Sequence, residues 1–170
     1  MIDFKNLKKL TIGGVELKQL FINGIQVWKA VSYTNLIPIS TDASGAAFSD
    51  TGYVTHTSLN SDGTTGYYWD FETTGFMPCK VGDIVRLKSV GFSKTTNSGS
   101  NRIVFYNSSK AVIKSYNGAQ TYDPSATVDS NGNWTQFKVP STAPGCAYFR
   151  LCCNGITESS IITVNEEITD

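Results

Sequence analysis

Aromatic residues beside polar turns are the side chains in this sequence with the clearest potential for chemistry. Tyr67, Tyr68 and Trp69 follow Gly66 directly. The CH faces of sugars stack on aromatic rings, while their hydroxyl groups bond to planar polar side chains such as Asn, Asp and Arg. This chemistry predicts carbohydrate binding, with the simpler alternative that each ring fills the core or its rim. The candidate residues are His56, Tyr68, Arg102, Tyr116 and Tyr122.

Residues that could support catalysis are sparse. The sequence has no Gly-x-Ser-x-Gly elbow, no phosphate-binding glycine loop and no HExxH motif, and its one histidine is His56. Asp70 and Glu72 would share one face of a strand, but nothing in the sequence marks them as the closely paired carboxylates that a glycosidase needs. We therefore predict a protein that is not an enzyme, with no catalytic residues and no cofactor.

Oxygen side chains stand at alternate positions in Asp129, Asn131 and Asn133. Calcium-binding loops use this spacing, but the distal carboxylate that completes such loops is missing. Because Asp, Asn and Gly are also common turn residues, we favour an ordinary turn and predict no metal site.

The four cysteines are predicted to be buried free thiols. No CxxC pair occurs and there is one histidine, so the residues for a zinc site are lacking. Cys152 and Cys153 are neighbours in a strand-like run, where they would point to opposite faces of a sheet. We expect Cys79 and Cys146 to be unbridged as well, as in a protein that folds in a reducing cytoplasm.

Charge and hydropathy limit the kinds of partner. The 14 basic residues balance 14 acidic ones, so the formal net charge is zero. Without a basic excess there is no electrostatic case for nucleic acid or an anionic membrane as partner. We also expect no membrane span, which needs about 20 apolar residues, and no secretion signal, because no apolar run follows the charged start.

Residues 1–30 are predicted to form a separate unit of two β-hairpins. Gly13-Gly14 and Asn23-Gly24 are typical of two-residue hairpin turns. This geometry pairs Ile12 with Val15, Leu10 with Leu17, Ile22 with Ile25 and Leu20 with Val27, which places eight aliphatic side chains on one face.

Two hairpins of this size are marginal alone, so their aliphatic face needs cover. We favour cover by another chain over cover by the rest of this one. The predicted interface residues are Leu20, Phe21, Ile22, Ile25, Val27 and Trp28.

Residues 31–170 are predicted to form an antiparallel β-sandwich, with its strands between about Leu36 and Ile168. Short alternating segments are separated by turns such as the one at residues 107–110, and no segment has helical apolar spacing. Strand alternation predicts an inward-facing set of Tyr67, Trp69, Phe71, Val85, Leu87, Phe105, Phe137, Phe149, Leu151 and Ile162.

Two parts of the chain resemble known protein families. The segment TIGGVELKQLFINGIQVW (residues 11–28) resembles an amino-terminal segment of tail-associated and minor structural proteins from phages and prophages of Gram-positive bacteria. The later part is similar to the galactose-binding-like jelly rolls found among carbohydrate-binding modules. The segments that carry this second resemblance are GFMP, VGDIVRL, IVFYN, AYFRL and IITVNEE, at residues 75–78, 81–87, 103–107, 147–151 and 161–167.

These resemblances imply a virion component that is made in the bacterial host cytoplasm. Its hairpins would attach to other virion proteins or to copies of the same chain. Its jelly roll would bind host cell-wall or capsule glycan. The alternative is a purely structural particle protein, such as a capsid decoration or a tail subunit, with no affinity for sugar.

Overall fold

The structure, a computed structural model, describes residues 11–12, 15–16, 19–22, 25–29, 35–36, 40–41, 52–93, 101–117, 123–157 and 159–168. Seventeen strands and no helix occur among these residues. No helix in this part of the chain is therefore long and apolar enough to span a bilayer. The chain divides into two compact units, Met1–Tyr33 with Thr169–Asp170, and Thr34–Ile168.

The amino-terminal unit contains two antiparallel strand pairs, as the turn signals predict. Strands β1 (Thr11–Ile12) and β2 (Val15–Glu16) form the first, and β3 (Gln19–Ile22) and β4 (Ile25–Lys29) form the second.

The predicted register is correct next to the second turn, where Ile22 lies opposite Ile25, but wrong further along. A bulge between Leu20 and Phe21 places Leu20 opposite Trp28 and not opposite Val27. Turn residues fix the pairing beside the turn, whereas a bulge shifts every pair beyond it. The six predicted interface residues lie in β3 and β4, and their burial by another chain stays a prediction.

The second unit contains two main sheets. The smaller sheet has the strand order β14-β15-β11-β17 and is antiparallel throughout. Its strands are β11 (Ile84–Lys88), β14 (Thr127–Val128), β15 (Trp134–Lys138) and β17 (Ile161–Val164).

The larger sheet has seven strands in the order β13-β12-β16-β9-β6-β5, and β10 also pairs with β16. The pairs are antiparallel except for β5 with β6, which are parallel. The strands are β5 (Ser40–Thr41), β6 (Tyr53–Val54), β9 (Glu72–Thr74), β10 (Met77–Pro78), β12 (Arg102–Tyr106), β13 (Val112–Asn117) and β16 (Tyr148–Cys153).

The core lies between these two sheets. Phe137 of the smaller sheet meets Phe149 of the larger one edge to face, with ring centroids 6.2 Å apart. Because successive side chains of a strand point to opposite faces of its sheet, each strand directs one set of apolar residues to this layer. The predicted inward positions Val85, Leu87, Phe105, Phe137, Phe149, Leu151 and Ile162 are all buried there, which confirms that part of the prediction.

A small hairpin covers the other side of the larger sheet. It consists of β7 (Thr57–Leu59) and β8 (Thr65–Tyr67). Leu59 is buried with Val104, Tyr106 and Cys152, which form a second apolar cluster. The hairpin thus gives the seven-stranded sheet two covered faces, and it carries the segment that precedes β9.

The beginning and end of the sandwich unit are joined directly. Asn35 donates a side-chain hydrogen bond to the Ser160 carbonyl at 3.1 Å and accepts one from the backbone of Ile162 at 3.0 Å. Leu36 also donates its backbone N–H to the Ile162 carbonyl at 2.9 Å. These bonds fix the entry segment against β17.

Candidate functional site

Three consecutive aromatic side chains are exposed at the end of β8 and in the turn that follows it. Tyr67, Tyr68 and Trp69, here called the aromatic patch, are 75%, 48% and 67% exposed. The prediction that Tyr67 and Trp69 face the core is therefore wrong, and Phe71 is half-buried at the second cluster and not in the main core. Alternation fails because β8 ends at Tyr67 and a turn separates it from β9.

Backbone hydrogen bonds hold this turn in place. Tyr68 donates its N–H to the His56 carbonyl at 2.9 Å, and Phe71 donates to the Tyr68 carbonyl at 3.2 Å. The Phe71 carbonyl in turn accepts from Thr57 at 2.9 Å. His56 adopts a left-handed backbone with φ of 53°, so the chain bends sharply where it meets the patch.

Ring contacts add to this support. Tyr68 stacks on Phe71 with centroids 4.4 Å apart and an interplanar angle of 9°. His56 lies 6.3 Å from the Tyr67 ring at an angle of 28°. Trp69 lies in the turn itself and is exposed. The patch is thus a set of apolar faces whose backbone is fixed before any ligand arrives.

The hairpin beneath the patch is itself fixed to the sheet. The Thr73 hydroxyl donates to the Thr57 carbonyl at 2.6 Å. Gly63, at the hairpin tip with φ of 82°, lies so close to the Tyr106 ring and Val112 that a Cβ would be 3.0 and 2.6 Å from them. The close approach needs glycine, because the backbone is left-handed and no side chain would fit.

The structure brings together two of the five predicted carbohydrate-binding residues, His56 and Tyr68. Arg102 lies in β12 opposite Cys152, half-buried. Tyr116 is buried, with its hydroxyl hydrogen-bonded to Thr142 and its ring edge-on to Phe105, so it presents no free face for stacking. The fifth candidate, Tyr122, lies outside the described residues.

Sequence reasoning missed Tyr67 and Trp69 as site residues. The signal that could have found them is Asp70, a residue that favours turns and interrupts the run of rings. A turn at this point releases the preceding rings from strand alternation.

A concave surface lies elsewhere on the sandwich. This cleft has a volume of about 320 Å³, and Asp123, Lys138, Ser141 and Thr142 are among its lining residues. The Asp123 carboxylate accepts hydrogen bonds from the backbone and hydroxyl of Ser125 and from the backbone of Lys138. Burial raises the pKa of Asp123, but these hydrogen bonds outweigh it, and the net effect is a lowered pKa.

This lowered pKa predicts an acid-sensitive contribution to stability. The contribution is complete above the pKa of an unfolded Asp, about 3.9, and is lost as the pH falls through the lower folded-state pKa. We expect Asp123→Asn to reduce the free energy of unfolding near pH 7 by about 1 kcal/mol.

Urea unfolding at a series of pH values measures this effect, with Asp70→Asn on the exposed turn as the control. The difference in free energy of unfolding between wild type and Asp123→Asn should decrease below about pH 4. A difference in free energy of unfolding that stayed constant from pH 7 to about pH 2 would contradict this account.

The loop at residues 129–133 forms a turn, in line with the favoured interpretation. Asp129 Oδ1 accepts backbone N–H groups from Asn131 at 2.8 Å and Asn133 at 2.9 Å. The hydrogen bond from Asn133 is the largest cause of the lowered pKa of this exposed carboxylate. In the part of the chain that the structure describes, no group of three or more His, Cys, Asp or Glu side chains could hold a metal ion.

Comparison of the chain with protein families, curated proteins and solved structures finds no match. The geometry of the aromatic patch and the chemistry of its rings therefore carry the functional argument.

Proposed function

We propose that the sandwich unit is a jelly roll that binds host cell-surface glycan through the aromatic patch. The observation that carries this proposal is the exposure of Tyr67 and Trp69 on a turn with fixed backbone. Exposed apolar rings in a contiguous group are uncommon on soluble proteins unless they contact a partner. A backbone held in place before binding loses little conformational freedom when a ligand stacks on the rings that it carries.

The patch also offers the polar groups that a sugar needs. His56 lies beside Tyr67, and Asp70 is an exposed carboxylate in the same turn. Planar polar groups next to stacking surfaces are the usual means of fixing a sugar's orientation. Neutral overall charge suits a neutral glycan, because no strong field then opposes or favours binding.

The proposed setting is a virion, in which the amino-terminal unit would attach the sandwich to other virion proteins or to copies of this chain. The resemblance of residues 11–28 to phage tail-associated proteins supports this setting. Binding at each site would be weak, and many copies on one particle would strengthen it.

The alternative is a purely structural particle protein, in which the aromatic patch is a contact between subunits. Tyr and Trp are enriched in protein interfaces, so the same exposed rings favour this second candidate too. The two functions differ in what the intact, assembled protein binds.

Binding of an assembled array to host cell walls, capsule and a glycan array tests the proposal. We expect Tyr67→Ala and Trp69→Ala each to weaken binding about tenfold, which corresponds to one stacking contact. Val128→Ala removes an exposed apolar side chain on β14 and serves as the matched control. If the unaltered array binds no glycan, the structural alternative is favoured. If the array binds glycan and the ring variants bind as well as the control, the aromatic patch is not the binding site.

A further inference from the structure

Two cysteines far apart in sequence have their sulfur atoms in contact. Cys79 follows β10 and Cys146 precedes β16, and their Sγ atoms are 3.8 Å apart. The backbone N–H of Cys79 donates to the Ala147 carbonyl at 3.0 Å, and that of Cys146 donates to the Ala143 carbonyl at 3.2 Å. Both thiols are therefore held at the end of one strand pair with their sulfurs in contact, and a disulfide would bring the sulfurs to about 2.05 Å.

The other two cysteines have no such relation. Cys152 packs in the second cluster with Leu59, whereas Cys153 packs in the main core. They lie next to each other on β16 and point to opposite faces of its sheet. All four thiols are free, but the 79–146 pair alone among them has sulfurs in contact.

The two pairs of cysteines also differ in their exposure to solvent. Cys79 and Cys146 are 8% and 7% exposed, whereas Cys152 and Cys153 are fully buried. All four cysteines are buried, but Cys79 and Cys146 keep a small exposed fraction and are therefore the more accessible pair. Burial raises the pKa of both the Cys79 and the Cys146 thiols, so the reactive thiolate is scarce at neutral pH.

We propose that Cys79 and Cys146 form a disulfide when the folded protein meets a soluble disulfide oxidant such as oxidised glutathione. One protein thiol loses its proton and attacks the oxidant, which forms a mixed disulfide and releases one glutathione thiolate. The second protein thiol then loses its proton and attacks the protein sulfur of that mixed disulfide, which releases the second glutathione. Two protein thiols are oxidised, and one oxidised glutathione is reduced to two thiols.

The cross-link would close a long loop. It joins residues 67 positions apart and encloses strands β11 to β15, which contribute to both main sheets. Closing a long loop restricts the unfolded chain and stabilises the folded one. The protein would thus fold with free thiols in a reducing compartment and gain stability in an oxidising one. This inference does not depend on glycan binding.

Mass spectrometry of the folded protein after incubation with oxidised glutathione tests the proposal. We expect a loss of about 2 Da and a proteolytic peptide that contains Cys79 and Cys146 joined, formed faster at higher pH. The melting temperature should rise by about 10 °C and return to its first value with reductant.

Variants separate this pair from the other cysteines. Cys152→Ala should form the joined peptide as the wild type does. Cys146→Ala and Cys79→Ala should not show the loss of about 2 Da in protein mass. Absence of the joined peptide in the wild type, or bridging of a different pair, would overturn the proposal. The peptide map of the unaltered protein decides the matter even if a variant fails to fold.

Discussion

Replacing Trp134 with Ala should lower the free energy of unfolding by about 3–5 kcal/mol. Trp134 is 1% exposed, at the start of β15. Its ring lies 5.0 Å from Phe92 and 5.6 Å from Phe137, so its removal leaves a large cavity between aromatic neighbours. Denaturant unfolding of the purified protein measures the loss.

Trp69→Ala is the matched control for this experiment, because it removes the same side chain from an exposed position. We expect a change within about 0.5 kcal/mol, as for surface substitutions that touch no special feature. A loss at Trp69 as large as that at Trp134 would show that Trp69 is part of the core.

Gly91→Ala should destabilise the sandwich by about 3 kcal/mol. A Cβ at this position would lie 2.0 Å from the Asn154 carbonyl oxygen and 3.1 Å from its carbon. The conflict is with backbone atoms, so no rotation of a side chain can relieve it. The segment after β11 and the segment after β16 would have to move apart.

Gly66→Ala provides the control for the added methyl group. There the nearest atom to a new Cβ is the Ser58 hydroxyl oxygen at 3.4 Å, which a side-chain rotation can move. Thermal unfolding of both variants should show a large decrease for Gly91→Ala and a small change for Gly66→Ala. Equal decreases would mean that the backbone contact at Gly91 does not limit stability.

Strand alternation predicted much of the sandwich core because it depends on local geometry. Val85 and Leu87 on β11 and Phe149 and Leu151 on β16 follow the period of two, and each strand lies in a sheet with an apolar layer on its inner face. The turn at residues 107–110 was likewise predictable, since the Asn107 side chain accepts the backbone N–H groups of Ser109 within the turn and of Ala111 just after it.

The failures involve features that no local pattern contains. Tyr67 and Trp69 read as alternating strand residues, but a turn ends β8 between them. Tyr116 lies beside a polar turn in sequence, yet its hydroxyl reaches Thr142 through a contact set by the tertiary fold. The turn residues before β4 predict the pairing of Ile22 with Ile25, but they do not predict the bulge in β3. Of the candidate site, the sequence therefore predicted His56 and Tyr68 but not its most exposed rings, Tyr67 and Trp69.

The hydrogen bonds between Asn35 and β17 have a consequence for the time course of synthesis. They join residues 125 and 127 positions apart, so these hydrogen bonds cannot form until almost the whole sandwich has left the ribosome. Chains are extended at about 5–20 residues per second, and pairing over such separations is slow. During that interval the larger sheet also lacks its central strand β16, so the pairs of β16 with β12, β9 and β10 cannot form. For roughly several seconds, the nascent chain therefore has unpaired strand edges that a chaperone or a neighbouring copy could bind.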